Sequence, residues 1–125
     1  MSRSPSELAA DFNAAINAAD VDALAALMSD DHRFVDSAGG SVSGRPACVE
    51  AWRGFFADFP GYRNTFADLH ESGGIVTITG RSDCPGQPAL TGPAIWRATI
   101  VESRVTEWRV YDDTAVNRAQ LDIGD

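Results

Sequence analysis

The sequence predicts an α+β domain, a strongly curved antiparallel sheet wrapped over three helices. Three observations carry that expectation. Helical patterns crowd the first half, where two helices, a strand and a third helix follow one another. Four long strand patterns fill the second half, and they pair into hairpins with legible faces. The length, 125 residues, suits one domain (residues 1–125) with a proper core. A sheet curved into a half-open cone leaves a pocket between its concave face and the helices.

The first helix reads from "SPSELAADFNAAINAAD". Ser4 is a candidate N-cap, Pro5 suits the first helical position, and Glu7 completes a capping box. Leu8, Phe12, Ala15 and Ile16 form its apolar stripe. Asp20 then caps a short helix, "VDALAALM", with Val21, Leu24, Leu27 and Met28 inward. "DHRFVD" is the first strand, and "SAGGSVSGRP" a turn with a short extended piece. A third helix, "PACVEAWRGFFADF", starts at Pro46 and stops at Pro60-Gly61. Cys48, Trp52, Phe55, Phe56 and Phe59 dominate its apolar side.

The remainder is mostly β. "YRNTFADLHE" and "GIVTITGRSD" join across Ser72-Gly73-Gly74, a strong hairpin signal. "CPGQPALTGP" is a loop. "AIWRATIVE" and "RVTEWRVYDD" form the last hairpin, and "TAVNRAQL" a brief closing helix. If that hairpin turns at Ser103, Trp96 and Ala98 oppose Val110 and Trp108 on one face. Arg97, Glu107 and Arg109 take the other. Asp112 shares the aromatic parity and Asp113 points away, so Asp113 is the expected cap of the closing helix.

Composition narrows the function classes. A formal charge of −8 argues against nucleic acid, whose phosphates need a basic footprint, and against an anionic membrane surface. All ten basic residues are Arg, so no lysine Schiff base is available. No apolar run approaches the ~20 residues that span a bilayer. The N-terminal stretch has no apolar leader pattern, which makes the cytoplasm the expected location. Two cysteines and two histidines are too few for a disulfide framework or a His- or Cys-built zinc site, so neither metal nor cofactor is expected. Cys48 sits in a helix's first turn, where the dipole lowers a thiol pKa, but a buried inert thiol is the favoured reading. His32 and His70 are expected at the surface or an edge.

The carboxylates hold the interest. Phe34 and Asp36 share one face of the first strand. Asp36 is either a desolvated acid/base beside the pocket or the anchor of an Asx-type turn over Ser37 to Gly39. Arg81 and Asp83, two apart, are either a pocket pair or a surface salt bridge. The opposite parity, Val76, Ile78 and Gly80, is the alternative buried face.

The order as a whole resembles the nuclear transport factor 2-like superfamily, a cone-shaped α+β barrel with a cystatin-like fold. "FNAAINAADVDALAALMSDDHRFVD", "SGRPACVEAW" and "GPAIWRATIVESRVTEWRVYDD" carry the likeness. Within the superfamily the chain is most similar to SnoaL-like proteins, with echoes of ketosteroid isomerase and limonene-epoxide hydrolase. The isomerase's general-base Asp matches Asp36, while its two oxyanion donors fall on Phe12 and near Ala94. Both donors are therefore missing, which removes the usual largest catalytic contribution. The hydrolase's Arg-x-Asp matches Arg81 and Asp83. Its second Asp falls on Val110, with Asp112 two residues further along the same face.

The resemblance implies a small-molecule-binding protein with a pocket walled by Phe12, Phe34, Trp52, Phe55, Trp96, Trp108 and Val110. It implies cofactor-free acid/base chemistry on an apolar substrate (cyclisation, isomerisation or addition of water), with Asp36, Arg81, Asp83 and Asp112 as catalytic candidates. The alternative is a non-catalytic ligand-binding or dimerisation module. Either way a homodimer through the outer sheet face is implied, with Thr99, Glu107, Arg109 and Tyr111 outward.

Overall fold

In a computed structural model, residues 3–123 are described. Helix α1 (Pro5–Asn17) and helix α2 (Val21–Leu27) lead into strand β1 (Met28–Val35) and the short β2 (Ser41–Ser43). Helix α3 (Arg45–Asp58) follows, then β3 (Arg63–Ser72), β4 (Ile75–Asp83), β5 (Gly92–Val101), β6 (Arg104–Asp112) and helix α4 (Ala115–Gln120). A single 3-10 turn, Pro88–Leu90, interrupts the loop between β4 and β5. One six-stranded sheet runs β2-β1-β6-β5-β4-β3. The β1–β6 pairing is parallel and the others are antiparallel.

Local chemistry explains the elements. Ser4 Oγ accepts from Glu7 N–H at 3.1 Å and the Glu7 carboxylate accepts from Ser4 N–H at 2.9 Å, so the expected capping box is present. Asp20 caps α2 through the Ala23 N–H. Gly73 and Gly74 both have positive φ, the backbone a two-residue turn requires between paired Ser72 and Ile75. Trp96 stands opposite Val110 and Ala98 opposite Trp108, with the turn at Glu102–Ser103 in the left-handed region. Thr114, not Asp113, caps α4: its side chain accepts from Asn117 N–H. Asp113 instead pairs with Arg118 at 2.6 Å, which holds its carboxyl below the usual range.

β3 and β4 approach one another closely at Gly80. A β-carbon at Gly80 would lie 2.1 Å from the Thr65 carbonyl oxygen, so only glycine permits this approach. Opposite it, the pairing skips Ala67 between Phe66 and Asp68. That bulge reverses the strand's face. Tyr62, Asn64 and Phe66 belong with the helices' side of the sheet, whereas His70 pairs with Thr77 beyond the bulge.

The core lies between the concave face and α1–α3. Leu8, Phe12, Ile16, Leu24 and Met28 pack with Val76, Ile78, Trp96, Ala98, Val105 and Trp108. Phe12 stacks on Trp108 with ring centroids 4.6 Å apart. His32 is fully buried and not at the surface as expected, because it shares Phe34's parity on β1. Its Nδ1 lies 2.7 Å from the Val105 carbonyl oxygen and its ring 5.7 Å from Phe12. Burial pushes the imidazole below its ordinary 6.5, despite the pull of that carbonyl and of Glu107 and Asp31. None of the described helices is long and apolar enough to cross a membrane.

Candidate functional site

A cavity of about 380 Å³ opens between the concave sheet face and α3. β1 contributes Phe34, β5 Trp96 and β6 Trp108 and Val110. Helix α3 contributes Cys48, Ala51, Trp52 and Phe55. Alternation along the strands and i, i+3, i+4 spacing along the helix place these side chains on facing surfaces. Trp52 organises one wall: it meets Phe34 edge-on at 5.5 Å and Phe55 at 5.8 Å, and stacks on Phe56 at 5.4 Å. Six of the seven expected wall residues therefore line the cavity. The seventh, Phe12, lies behind Trp108 in the core.

Asp36 stands at the rim with Ser37 and is exposed. Its Oδ1 accepts from the Ala38 and Gly40 N–H groups, both at 2.9 Å. Its backbone closes the same turn, with Asp36 N–H donating to Gly40 O at 2.8 Å. The carboxylate is thus an Asx-turn anchor, one residue wider than the span read from the sequence. Its Oδ2 has no partner among the described residues and lies against Gly40, where a β-carbon would approach to 2.7 Å.

The other carboxylates are placed elsewhere. Arg81 and Asp83 pair at 3.1 Å on the outer face, with their side chains 54% and 49% exposed. Val76, Ile78 and Ser82 take the inner parity of β4. Asp112, paired across from Ala94, is exposed at the end of β6 and is not part of the cavity wall. The three do not converge with Asp36, so no Asp-Arg-Asp set forms at the cavity.

The polar side of the cavity consists of residues the sequence reading passed over. Tyr62 and Asn64 line it. Tyr62 Oη lies 3.3 Å from Ser82 Oγ, and the Ser82 hydroxyl donates to Asn64 Oδ1 at 2.8 Å. Asn64 is only 2% exposed. Its backbone is fixed by two helix amides: Asn17 Oδ1 accepts from Asn64 N–H at 2.8 Å, and Asn17 and Asn13 Nδ2 donate to Asn64 O at 2.9 and 3.2 Å. Burial pushes the Tyr62 phenol above its ordinary 10.0, partly offset by the Ser82 and Asn64 side chains. The signal was present in β4, where the inward parity of Val76 and Ile78 continues to Ser82.

Two further groups complete the wall. Cys48 is buried, and its thiol points to the Val42 carbonyl oxygen at 3.4 Å. Burial pushes that thiol above its ordinary 9.0, so the helix dipole does not activate it. The Trp52 indole N–H is buried without a partner among the described residues. Within those residues no three His, Cys, Asp or Glu side chains gather as a metal-ligand set.

The profile of the SnoaL-like domain matches residues 9–118. No curated protein matches the sequence. Solved structures share the fold. An uncharacterised cystatin-fold protein from Novosphingobium aromaticivorans is 21% identical at a TM-score of 0.74, over 86% of this chain and 97% of its own. IdmH, a putative polyketide cyclase from Streptomyces antibioticus, is 18% identical at 0.73, over 97% and 100%. A hypothetical protein with a ketosteroid isomerase-like fold from Catenulispora acidiphila, in complex with trimethylamine, is 20% identical at 0.70, over 94% of each chain.

Proposed function

The chain belongs to the SnoaL-like domain family, and from that premise we propose that it binds a small, largely apolar molecule in the cavity between α3 and the concave sheet face. One observation carries the proposal: Phe34, Trp52, Phe55, Trp96 and Trp108 converge on about 380 Å³ of space, with Tyr62 and Asn64 on its polar side and Asp36 and Ser37 at its rim. That volume and lining suit a bicyclic or tricyclic ligand. The test uses tryptophan fluorescence with naphthalene-sized probes such as 2-acetylnaphthalene. Wild type should bind them, and Ala51→Trp, which fills the cavity from α3, should not. Equal affinity in both proteins places the binding elsewhere and defeats the proposal.

A second reading adds acid/base catalysis by Asp36, which the likeness to IdmH, a putative polyketide cyclase, invites. The turn engages Oδ1, while Oδ2 at the cavity rim remains available for a proton. Asp36→Asn separates the roles, since the amide oxygen still anchors the turn but no longer takes a proton. If Asp36 is a base, hydrogen–deuterium exchange beside the carbonyl of 1-tetralone should be accelerated by wild type and fall roughly 100-fold in Asp36→Asn. No acceleration by wild type leaves the protein as a binder. In this reading Arg81, Asp83 and Asp112, away from the cavity, have no direct part.

The proposal includes a cytoplasmic homodimer through the outer sheet face. Two free cysteines suit a reducing compartment. Light scattering should give a mass near twice 13.3 kDa, and a monomer mass refutes the assembly.

A further inference from the structure

Resting on the cavity as a ligand site, we infer that Tyr62 is its polar anchor: the phenol hydroxyl donates a hydrogen bond to a carbonyl oxygen of the ligand. Ser82 has one hydroxyl proton, and it goes to Asn64 Oδ1. Tyr62 must therefore be the donor in its 3.3 Å contact with Ser82 Oγ. That contact is long for a hydroxyl pair, whose usual separation is about 2.7–2.8 Å. The phenol proton is weakly held by the protein and can rotate about the C–O bond to a better acceptor.

The rest of the cluster is built not to move. Asn64 is tied to α1 through three hydrogen bonds on its own backbone, and its side chain fixes Ser82. The Tyr62 ring is held edge-on by Phe55, with centroids 4.8 Å apart. Within this cluster the phenol proton keeps its freedom, and Tyr62 lines the cavity together with Phe34, Trp52, Phe55, Trp96 and Trp108. A ligand with no oxygen would leave this side unmatched. A ligand with a carbonyl there takes the phenol proton over from Ser82 Oγ, while the Ser82 proton stays on Asn64 Oδ1.

The experiment compares two probes of nearly equal shape, 2-acetylnaphthalene and 2-isopropenylnaphthalene, which differ by C=O against C=CH2. Wild type should prefer the ketone roughly five- to tenfold, the range of one neutral hydrogen bond. Tyr62→Phe should bring the ratio to about one with the alkene's affinity unchanged. Ser82→Ala, which removes the competing acceptor, should keep or raise the preference. In wild type the bound ketone's infrared carbonyl band should move to lower frequency, a readout that needs no variant. Equal binding of both probes to wild type overturns the inference while leaving the cavity as a ligand site. So does a Tyr62→Phe loss shared by both probes, which marks packing alone. If neither probe binds wild type, both the anchor and the ligand site fall.

Discussion

The two faces of the sheet each carry a concavity, and they differ in kind. The outer one is larger, about 990 Å³, and runs along β3 and β4 under the C-terminal segment. Asp68, His70, Arg81, Asp113, Arg118 and Asp122 border it beside Leu69, Leu121 and Ile123, so charged and apolar side chains share this groove. The inner one is less than half that volume and is walled by aromatic rings. Charges on the outer face neutralise one another in exposed pairs such as Arg81–Asp83. Polar groups on the inner face are buried and tied together. Size is therefore a poor guide, and the desolvated polar groups beside apolar surface are what single out the inner side as the proposed ligand site.

Substitutions on the two faces should separate them sharply. The largest effect is expected at Phe12, fully buried against Trp108: Phe12→Ala should lose about 3–5 kcal/mol in urea unfolding. Gly80→Ala should cost about 1–3 kcal/mol or more, because its methyl group meets backbone and cannot be relieved by a rotamer change. An unfolding midpoint unchanged in Gly80→Ala would mean the β3–β4 approach is loose. Asp36→Ala, which removes the acceptor of two N–H groups at the rim, should cost about 1–2 kcal/mol, and Asp36→Asn much less. Arg81→Ala marks the other extreme. Its pair is half exposed, so stability should change by no more than about 0.5 kcal/mol and probe affinity not at all. A clear loss of probe binding in Arg81→Ala would move the site to the outer face.

Acid supplies another contrast, between the interior and the surface. His32 is held neutral by burial, so the unfolded chain binds the extra proton first. Stability from this residue is complete above pH 6.5 and declines as pH falls below it. The loss between pH 7.5 and 5.5 should be smaller in His32→Gln, read from urea midpoints.

Much of this division was legible in the chain. Gly73-Gly74 specified one turn, and the Trp96/Val110 and Ala98/Trp108 pairs followed by counting from another at Ser103. The Ser4–Glu7 capping box was equally explicit. What the sequence hid was parity after a bulge. With Ala67 skipped, counting by twos from Tyr62 to His70 joins two faces that the folded strand separates. The parallel docking of β1 beside β6 left no local mark either, because it depends on contacts far apart in sequence. The choice of face for β4 was open because both parities carry plausible residues. Gly80's close approach decides it, and that constraint comes from β3. Tyr62, Asn64 and Ser82 were missed because each is an ordinary residue alone, and their hydrogen bonds join separate strands.

The side chain of Asn17 has a consequence beyond the cavity. β3 is the last strand of the sheet, and Asn64 is bonded there by an asparagine acting as a surrogate neighbouring strand, one amide taking both backbone groups. An open strand border is a template on which other chains can add. The helix thus occupies part of that open border, at the same residue whose side chain lines the cavity.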